Sequence, residues 1–279
     1  MSLKLMYITN KQSVAKIAQK YGIDWVFVDL ETLGKEERQK NLNTVKSQHS
    51  IADVKALREV LTTSELLVRV NPVNPASKEE IDAVISAGAD VIMLPMWRNK
   101  ATVETFLKFV GGRVKTMLLL ETKEACECLD EILKLSGIDY IHIGLNDLHL
   151  SYGLTFMFEL LSNGTIEEIC NKIRAKDIPY GFGGIARIGE GTLPAEKIVL
   201  EHFRLGSTQV ILSRSFCNVD SCKDLGELEE IFCKNLEKER EFENYAETVS
   251  AENLDKNRVE VSECVKHIVN VLKSKNNGN

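Results

Sequence analysis

Eight short apolar runs, each followed by an amphipathic stretch or a long polar segment, predict an α/β chain closed into a (β/α)8 TIM barrel with extra C-terminal helices. Three observations carry that expectation. Between Gly88 and Gly144 the apolar runs recur at intervals of roughly 25 residues, about one β/α unit. The run Asp90 to Leu94 is continuously apolar after its first residue, as a strand covered on both faces must be. The chain has 279 residues, close to the roughly 250 that one such barrel takes.

Taken in order, Lys4 to Ile8 is strand one, and Gln12 to Tyr21 is an amphipathic helix stopped by Gly22. Trp25 to Val28 is strand two and ends in Asp29 and Glu31. Thr32 to Ser50 is polar and charged without a strand period. It reads as a long loop with one helical turn, either a lid over an active site or a solvated excursion. Ile51 to Leu61 is helical, and Glu65 to Val70 is strand three, which delivers Arg69 before Asn71-Pro72 stops it. The helix Ser77 to Ala87 opens with the capping signal S-K-E-E and stops at Gly88. Strand four, Asp90 to Leu94, ends at Pro95, and the helix Lys100 to Val110 closes on Gly111-Gly112.

From Met117 to Ser151 the sequence reads strand, helix, strand, with Met117 to Leu120 as strand five and a sixth strand ending at Ile143. Thr155 to Ala175 is helical with a break near Asn163-Gly164. Ile178 to Phe182 is strand seven and runs into the glycine-rich loop GGIARIGEG. After the helix Leu193 to Leu205, Thr208 to Leu212 is strand eight, ending in Ser213-Arg214-Ser215. Residues 1–222 therefore form the barrel and 223–273 a helical extension, while 274–279 read as a disordered tail. Leu225, Leu228, Ile231, Phe232 and Leu236 recur at helical spacing and mark the eighth helix of the barrel. The remainder, including the amphipathic stretch Val259 to Leu272, either embraces a neighbouring subunit or folds back on its own barrel.

Composition narrows the function classes. The net charge is -6 and both signs are spread along the chain, so no basic groove for nucleic acid is expected. MSLKLMYITN lacks the apolar segment of a signal peptide, and no span is long enough to cross a membrane, so a cytoplasmic protein without a membrane partner is expected. The seven cysteines include no zinc-like pairs and read as free thiols.

The chemistry is expected where parallel strands end. Strands joined through one helix point the same way, so their carboxyl ends share one rim. Asp29 and Glu31 follow strand two, Arg69 strand three, Pro95 strand four, Glu121 strand five, and Gly144, Asn146 and Asp147 strand six. Gly183 and Gly184 follow strand seven, with Ser213 and Arg214 after strand eight. Glu121 and Asp147, on adjacent strands, form half of a hard-oxygen site for Mg²⁺ or Mn²⁺, with water and substrate completing the shell. Each alone is equally compatible with a helix or turn cap. Arg69 is a bidentate clamp for a substrate carboxylate or the salt-bridge partner of Asp29 or Glu31. Pro95, Gly144, Asn146, Gly183 and Gly184 line the expected substrate mouth. Among the histidines, His142 lies inside strand six, His149 two residues past Asp147, and His49 on the long loop within reach of the mouth.

The segments DWVFVDLE, LLVRVNP, AGADVIMLPM, LLLETKEA and IHIGLNDLHLS together resemble the HpcH/HpaI aldolase and citrate lyase beta-chain family, from about Asp24 to Ser215. The resemblance implies a TIM barrel whose subunits exchange a helix in a homo-oligomer, a trimer or hexamer. It also implies divalent-metal-dependent carbon–carbon cleavage or formation through an enolate, on a small anionic oxo or hydroxy acid such as pyruvate. It casts Glu121 and Asp147 as metal ligands, and Arg69 as the group that binds the substrate carboxylate and steadies the enolate. The aldolase branch carries a histidine where this chain has Thr32, and a supporting aspartate where it has Ser86. Asp29, Glu31 or a metal-bound water then stands in as base. A citrate-lyase-like acyl-CoA ester lyase, or a ligand-binding barrel without turnover, is the alternative that this departure implies.

Overall fold

The computed structural model describes residues 2–34, 49–213 and 216–276. Eight parallel strands close into a barrel in sequence order: β1 (Lys4–Ile8), β2 (Trp25–Asp29), β3 (Glu65–Arg69), β4 (Val91–Leu94), β5 (Lys115–Leu120), β6 (Tyr140–Ile143), β7 (Tyr180–Ile185) and β8 (Gln209–Leu212). β8 pairs back onto β1, with Leu5 opposite Val210. Closure leaves no free sheet edge.

Alternation along each strand sorts side chains into two cores. Met6, Trp25, Phe27, Leu67, Val91, Met93, Met117, Leu119 and Tyr140 fill the barrel interior. Their neighbours, such as Leu5, Val26, Val28, Leu66, Val68, Ile92 and Leu118, point outward into the layer beneath the helices. This two-sided burial is why the strands read as unbroken apolar runs.

The surrounding helices are α1 (Gln12–Lys20), α2 (Ile51–Arg58), α3 (Ser77–Ser86), α4 (Lys100–Val110), α5 (Lys123–Glu127), α6 (Leu129–Ile132), α7 (Leu145–Ser151), α8 (Glu159–Ser162), α9 (Thr165–Arg174), α10 (Ala195–Leu205), α11 (Leu225–Thr248) and α12 (Ala251–Asn276). Asn99 caps α4 by accepting from the Thr102 N–H, and Gly111 ends it at φ 61°, a left-handed turn that favours glycine. α11 supplies the barrel's eighth helix, packing beside α1 and α10. Its Phe232 meets Tyr7 edge-on at 4.8 Å. α12 lies across α8 and α10 of the same chain. It buries Val261, Val265 and Val269, and its Asn257 amide donates to Lys197 O and Glu201 Oε1, both at 3.0 Å.

Several expected elements shift. The S-K-E-E signal does not cap α3: Ala76 occupies the capping position, and the Ser77 hydroxyl accepts from the Asn74 N–H at 2.8 Å instead. β5 begins at Lys115, and the helix after it breaks at Cys128 into α5 and α6. The region from Thr155 becomes helical only at Glu159, because the Glu159 carboxylate accepts from the N–H groups of Thr155 and Phe156. β7 runs to Ile185, so Gly183 and Gly184 lie inside the strand rather than beyond it. There the β7–β8 register slips between Gly181 and Gly184, with Gly183 at φ 56°, a bulge that needs a residue tolerant of positive φ. The core of the expected lid, residues 35–48, lies outside the described residues, as do Arg214, Ser215 and residues 277–279 of the tail. All seven cysteines are free thiols. Among the described residues no helix is long and apolar enough to cross a membrane.

Candidate active site

The carboxyl ends of β2 and β3 stand in register, with Asp29 opposite Arg69. Both side chains follow the inward parity of Phe27 and Leu67 and meet at the rim. Arg69 donates from Nε to Asp29 Oδ1 and from Nη2 to Asp29 Oδ2, each at 2.9 Å, a planar two-bond fork. Glu31 Oε2 lies 3.4 Å from the same Nη2. Its N–H returns to Asp29 Oδ1 at 3.2 Å. Asp29 and Glu31 are only 3% and 2% exposed, so the pair is formed away from water. Burial works against the guanidinium charge, yet the Asp29 and Glu31 carboxylates outweigh it and hold Arg69 above its ordinary pKa. Of the two roles open to Arg69, the salt bridge is formed. Among the described residues its Nη1 makes no hydrogen bond, which leaves one edge of the fork for a ligand.

Glu121 stands directly after β5, 3% exposed, with Oε1 accepting from the Met96 N–H at 3.0 Å. Met96 follows Pro95 and has φ 53°, an uncommon conformation for a residue with a side chain. That turn aims a backbone donor at the carboxylate, a feature sequence alone does not signal. Pro95 itself is buried at the end of β4. Burial pushes the Glu121 carboxyl up to about 8; Arg69 opposes that shift, while Asp147 and Glu31 add to it. Asp147 lies in the first turn of α7, which begins at Leu145, with exposed Asn146 beside it. Gly144 joins β6 to α7: its N–H donates to Leu120 O at 2.9 Å. A Cβ there would stand 3.0 Å from Glu121 Oε2. The acid therefore occupies space that only glycine leaves open.

The histidines divide. His142 faces the interior one layer below Gly144, fully buried, with Nε2 on Gly183 O at 3.1 Å, and burial lowers it to about 4. That makes it a core histidine. His149 bonds within α7 to Leu145 O. His49 comes to the rim: its Nδ1 accepts the Asp29 N–H at 3.1 Å. Thr32 gives both its N–H and its hydroxyl to Asn71 Oδ1 and has no acid–base capacity. Ser86 is exposed at the carboxyl end of α3, where the chain turns toward the start of β4, so it sits at the opposite end of the barrel from the rim.

The family model for HpcH/HpaI aldolase/citrate lyase matches residues 4–161, more than half of the chain and all of β1 to α8 bar its last residue. The chain belongs to the HpcH/HpaI aldolase/citrate lyase family. No curated protein sequence matches it. Among solved structures it resembles an HpcH/HpaI aldolase from Desulfitobacterium hafniense, at 16% identity and a TM-score of 0.56 over 86% of this chain and 93% of that one. Citrate synthase SbnG is similar at 16% identity and TM-score 0.58, covering 86% of this chain and 94% of that one. Macrophomate synthase is similar at 15% identity and TM-score 0.55, covering 76% and 77%. At such identities these likenesses show the shared barrel. Membership places the chain among aldolase- and citrate-lyase-type enzymes, whose chemistry is carbon–carbon bond cleavage or formation.

The family's aldolases generally depend on a divalent metal, and the donor set here fits one. Glu121 and Asp147 offer hard carboxylate oxygens, and the buried Glu121 carries a pKa that an adjacent cation would bring down. Among the described residues no third His, Cys, Asp or Glu joins them as a ligand. Two protein ligands plus waters and substrate oxygens is the arrangement Mg²⁺ favours.

Proposed function

We propose that this chain is a divalent-metal-dependent carbon–carbon lyase acting on a small oxo or hydroxy acid through an enolate. The observation that carries the reading is the buried Glu121, coupled to Arg69 and Asp147 at the carboxyl rim of a closed barrel. Mg²⁺ or Mn²⁺, when held by Glu121 and Asp147, would supply the positive charge that polarises the keto group and favours the enolate.

The protein's own groups do the rest. Asp29 fixes the plane of the Arg69 guanidinium, so that Nη1 meets the substrate carboxylate in one orientation. Met96 N–H holds one oxygen of Glu121. Gly144, Asn146, Pro95, Gly183 and Gly184 are the residues assigned to the mouth around the substrate. As the carbon–carbon bond of a hydroxy acid breaks, Glu31 or Asp29 takes the hydroxyl proton. The electron pair of the bond passes to the oxo-acid fragment as its enolate, which then takes a proton at carbon. This assignment replaces the family histidine, whose position holds Thr32.

Exchange of pyruvate methyl protons in deuterated buffer tests the reading without knowledge of the second fragment. Exchange that requires Mg²⁺ or Mn²⁺ and vanishes in Glu121→Ala supports it; exchange indifferent to metal and to Glu121 sinks it. The same reading includes a homo-oligomer. The contacts that α12 makes with α8 and α10 are of the kind that identical chains trade when they exchange a helix, and light scattering on the purified protein gives the copy number.

A further inference from the structure

The short segment that carries Glu31 is tied down residue by residue. Leu30 N–H donates to Arg69 O at 2.9 Å and Glu31 N–H to Asp29 Oδ1 at 3.2 Å. The N–H groups of Thr32 and Leu33 both donate to Asn71 Oδ1, at 2.9 and 3.0 Å. Thr32 and Leu33 are exposed, so water would satisfy their N–H groups as well. Sharing one side-chain acceptor fixes the chain instead. Beneath them the Glu31 side chain is 2% exposed.

Asn71 is itself held by an acid. Its Nδ2 donates to Glu80 Oε1 at 2.7 Å and to Leu30 O at 3.3 Å, and its own N–H lies 3.3 Å from both Glu80 oxygens. Glu80 stands in the first turn of α3. A carboxylate and a carbonyl only accept, and backbone N–H groups only donate, so the Asn71 amide has one orientation. The side chain therefore grips the backbone on both sides of Glu31, at Leu30 O before it and at the Thr32 and Leu33 N–H groups after it. The consequence falls on the two rim acids. Asp29 gives one oxygen to each arm of the Arg69 fork, and Glu31 Oε2 is brought to 3.4 Å from Arg69 Nη2.

Resting on the lyase reading of this site, we propose that Glu31 is the proton-transfer group, and that Asn71, seated on Glu80, is the positioning residue that holds it beside Arg69. Asp29 then orients Arg69, and Glu31 serves the substrate. In pyruvate exchange the methyl C–H bond breaks, its proton passes to the Glu31 carboxylate and its electron pair to the enolate. The protonated acid exchanges with the deuterated solvent and returns a deuteron to the carbon.

The test measures kcat and KM for pyruvate exchange in the full chain with Mg²⁺. Asn71→Ala should lower kcat about 10²-fold and leave KM within about threefold, because the Arg69 fork on Asp29 remains. A general loosening of the mouth would raise KM as well. Asn71→Asp alone sets two carboxylates against each other and should be as impaired. Adding Glu80→Gln returns a donor to the pair and should recover kcat to within about 10-fold of the parent. Glu31→Gln should lower kcat about 10²-fold, and adding Asn71→Ala to it should change kcat less than about threefold, since the group being positioned is gone. Should Asn71→Ala not fold, the isosteric Asn71→Asp, alone and with Glu80→Gln, carries the comparison. Unchanged kcat in Asn71→Ala, a loss carried by KM, no recovery with Glu80→Gln, or losses at Asn71 and Glu31 that multiply overturns the proposal. The two readings separate at the parent. Metal-dependent exchange with any of these overturning results keeps the lyase and removes the Asn71 role; a parent that does not exchange removes both.

Discussion

The two ends of this barrel carry similar residues to opposite effect. At the amino end, Glu65 is matched on every side: Lys115 reaches it at 2.6 Å, the Trp25 indole N–H at 2.9 Å. Lys4 closes the plug over the Trp25 ring at 4.8 Å and the Tyr140 ring at 5.4 Å. Burial works against the Glu65 charge, but the Lys115 and Trp25 bonds prevail and hold its pKa low. At the carboxyl end Glu121 is deeper, meets one backbone N–H, and is pushed up to about 8. One end spends its charges on each other and is structural. The other gathers Asp29, Glu31, Glu121 and Asp147 around Arg69, and a buried acid whose pKa is raised is one that an adjacent cation would favour.

The largest effect that sharpens this contrast is at Glu121. Glu121→Ala should reduce metal-dependent proton exchange by at least about 10²-fold, and abolish the rise in melting temperature that Mg²⁺ gives the parent by mass action. Glu65→Gln should leave both untouched. A variant at Glu65 that loses exchange, with Glu121→Ala retaining it, would reverse the assignment of the two ends.

Stability separates them next. Asp29→Asn leaves the buried Arg69 guanidinium without its two-bond partner, and should cost about 3 kcal/mol in urea unfolding. Glu65→Gln breaks a pair whose side chains are 34% and 47% exposed, and should cost about 1 kcal/mol or less.

A buried acid in neither end serves as a control. Glu239 on α11 is fully buried, and among the described residues neither of its carboxylate oxygens has a hydrogen-bond partner. Burial pushes it up to about 8, with Glu243 adding to the shift. A folded-state pKa above the unfolded value means that the protein is most stable below about 4.5 with respect to this group, and loses stability as pH rises through about 8. Glu239→Gln removes that loss and should be more stable than the parent by a few kcal/mol at pH 9, with no advantage at pH 4. The gain should not depend on Mg²⁺. A metal-dependent gain would show that Glu239, like Glu121, faces a cation.

The most local effect expected is at Gly144. Gly144→Ala places a Cβ 3.0 Å from Glu121 Oε2, and should weaken metal affinity about 10-fold through displacement of the carboxylate. Isothermal titration with Mn²⁺ reads it directly.

Much of the rim was legible before any coordinates. Glu121, Asp147, Asp29, Glu31 and Arg69 were found because parallel strands joined by helices must end on one side, so residues after apolar runs converge wherever they fall in the chain. What was missed lies off that rule. Met96 contributes a backbone N–H through a positive φ that its side chain does not announce. Ser86 was matched by resemblance to the aspartate that supports the family histidine, yet it is exposed at the end of α3, away from the rim. His49, 20 residues past Asp29 in sequence, was read as within reach of the mouth, but its contact, Nδ1 on the Asp29 N–H, has no sequence signal.

By itself, the sequence determined the eight-strand barrel, its order, and the set of acids at its mouth. Those follow from local periodicity and from the handedness of crossover connections, which act along the chain. The tertiary structure alone decided how each acid is used: Asp29 in the fork of Arg69, Glu121 on Met96, Gly144 giving the room, and His49 on the Asp29 N–H. These depend on register between strands, on burial and on backbone dihedrals, and such quantities exist only once distant segments are packed together.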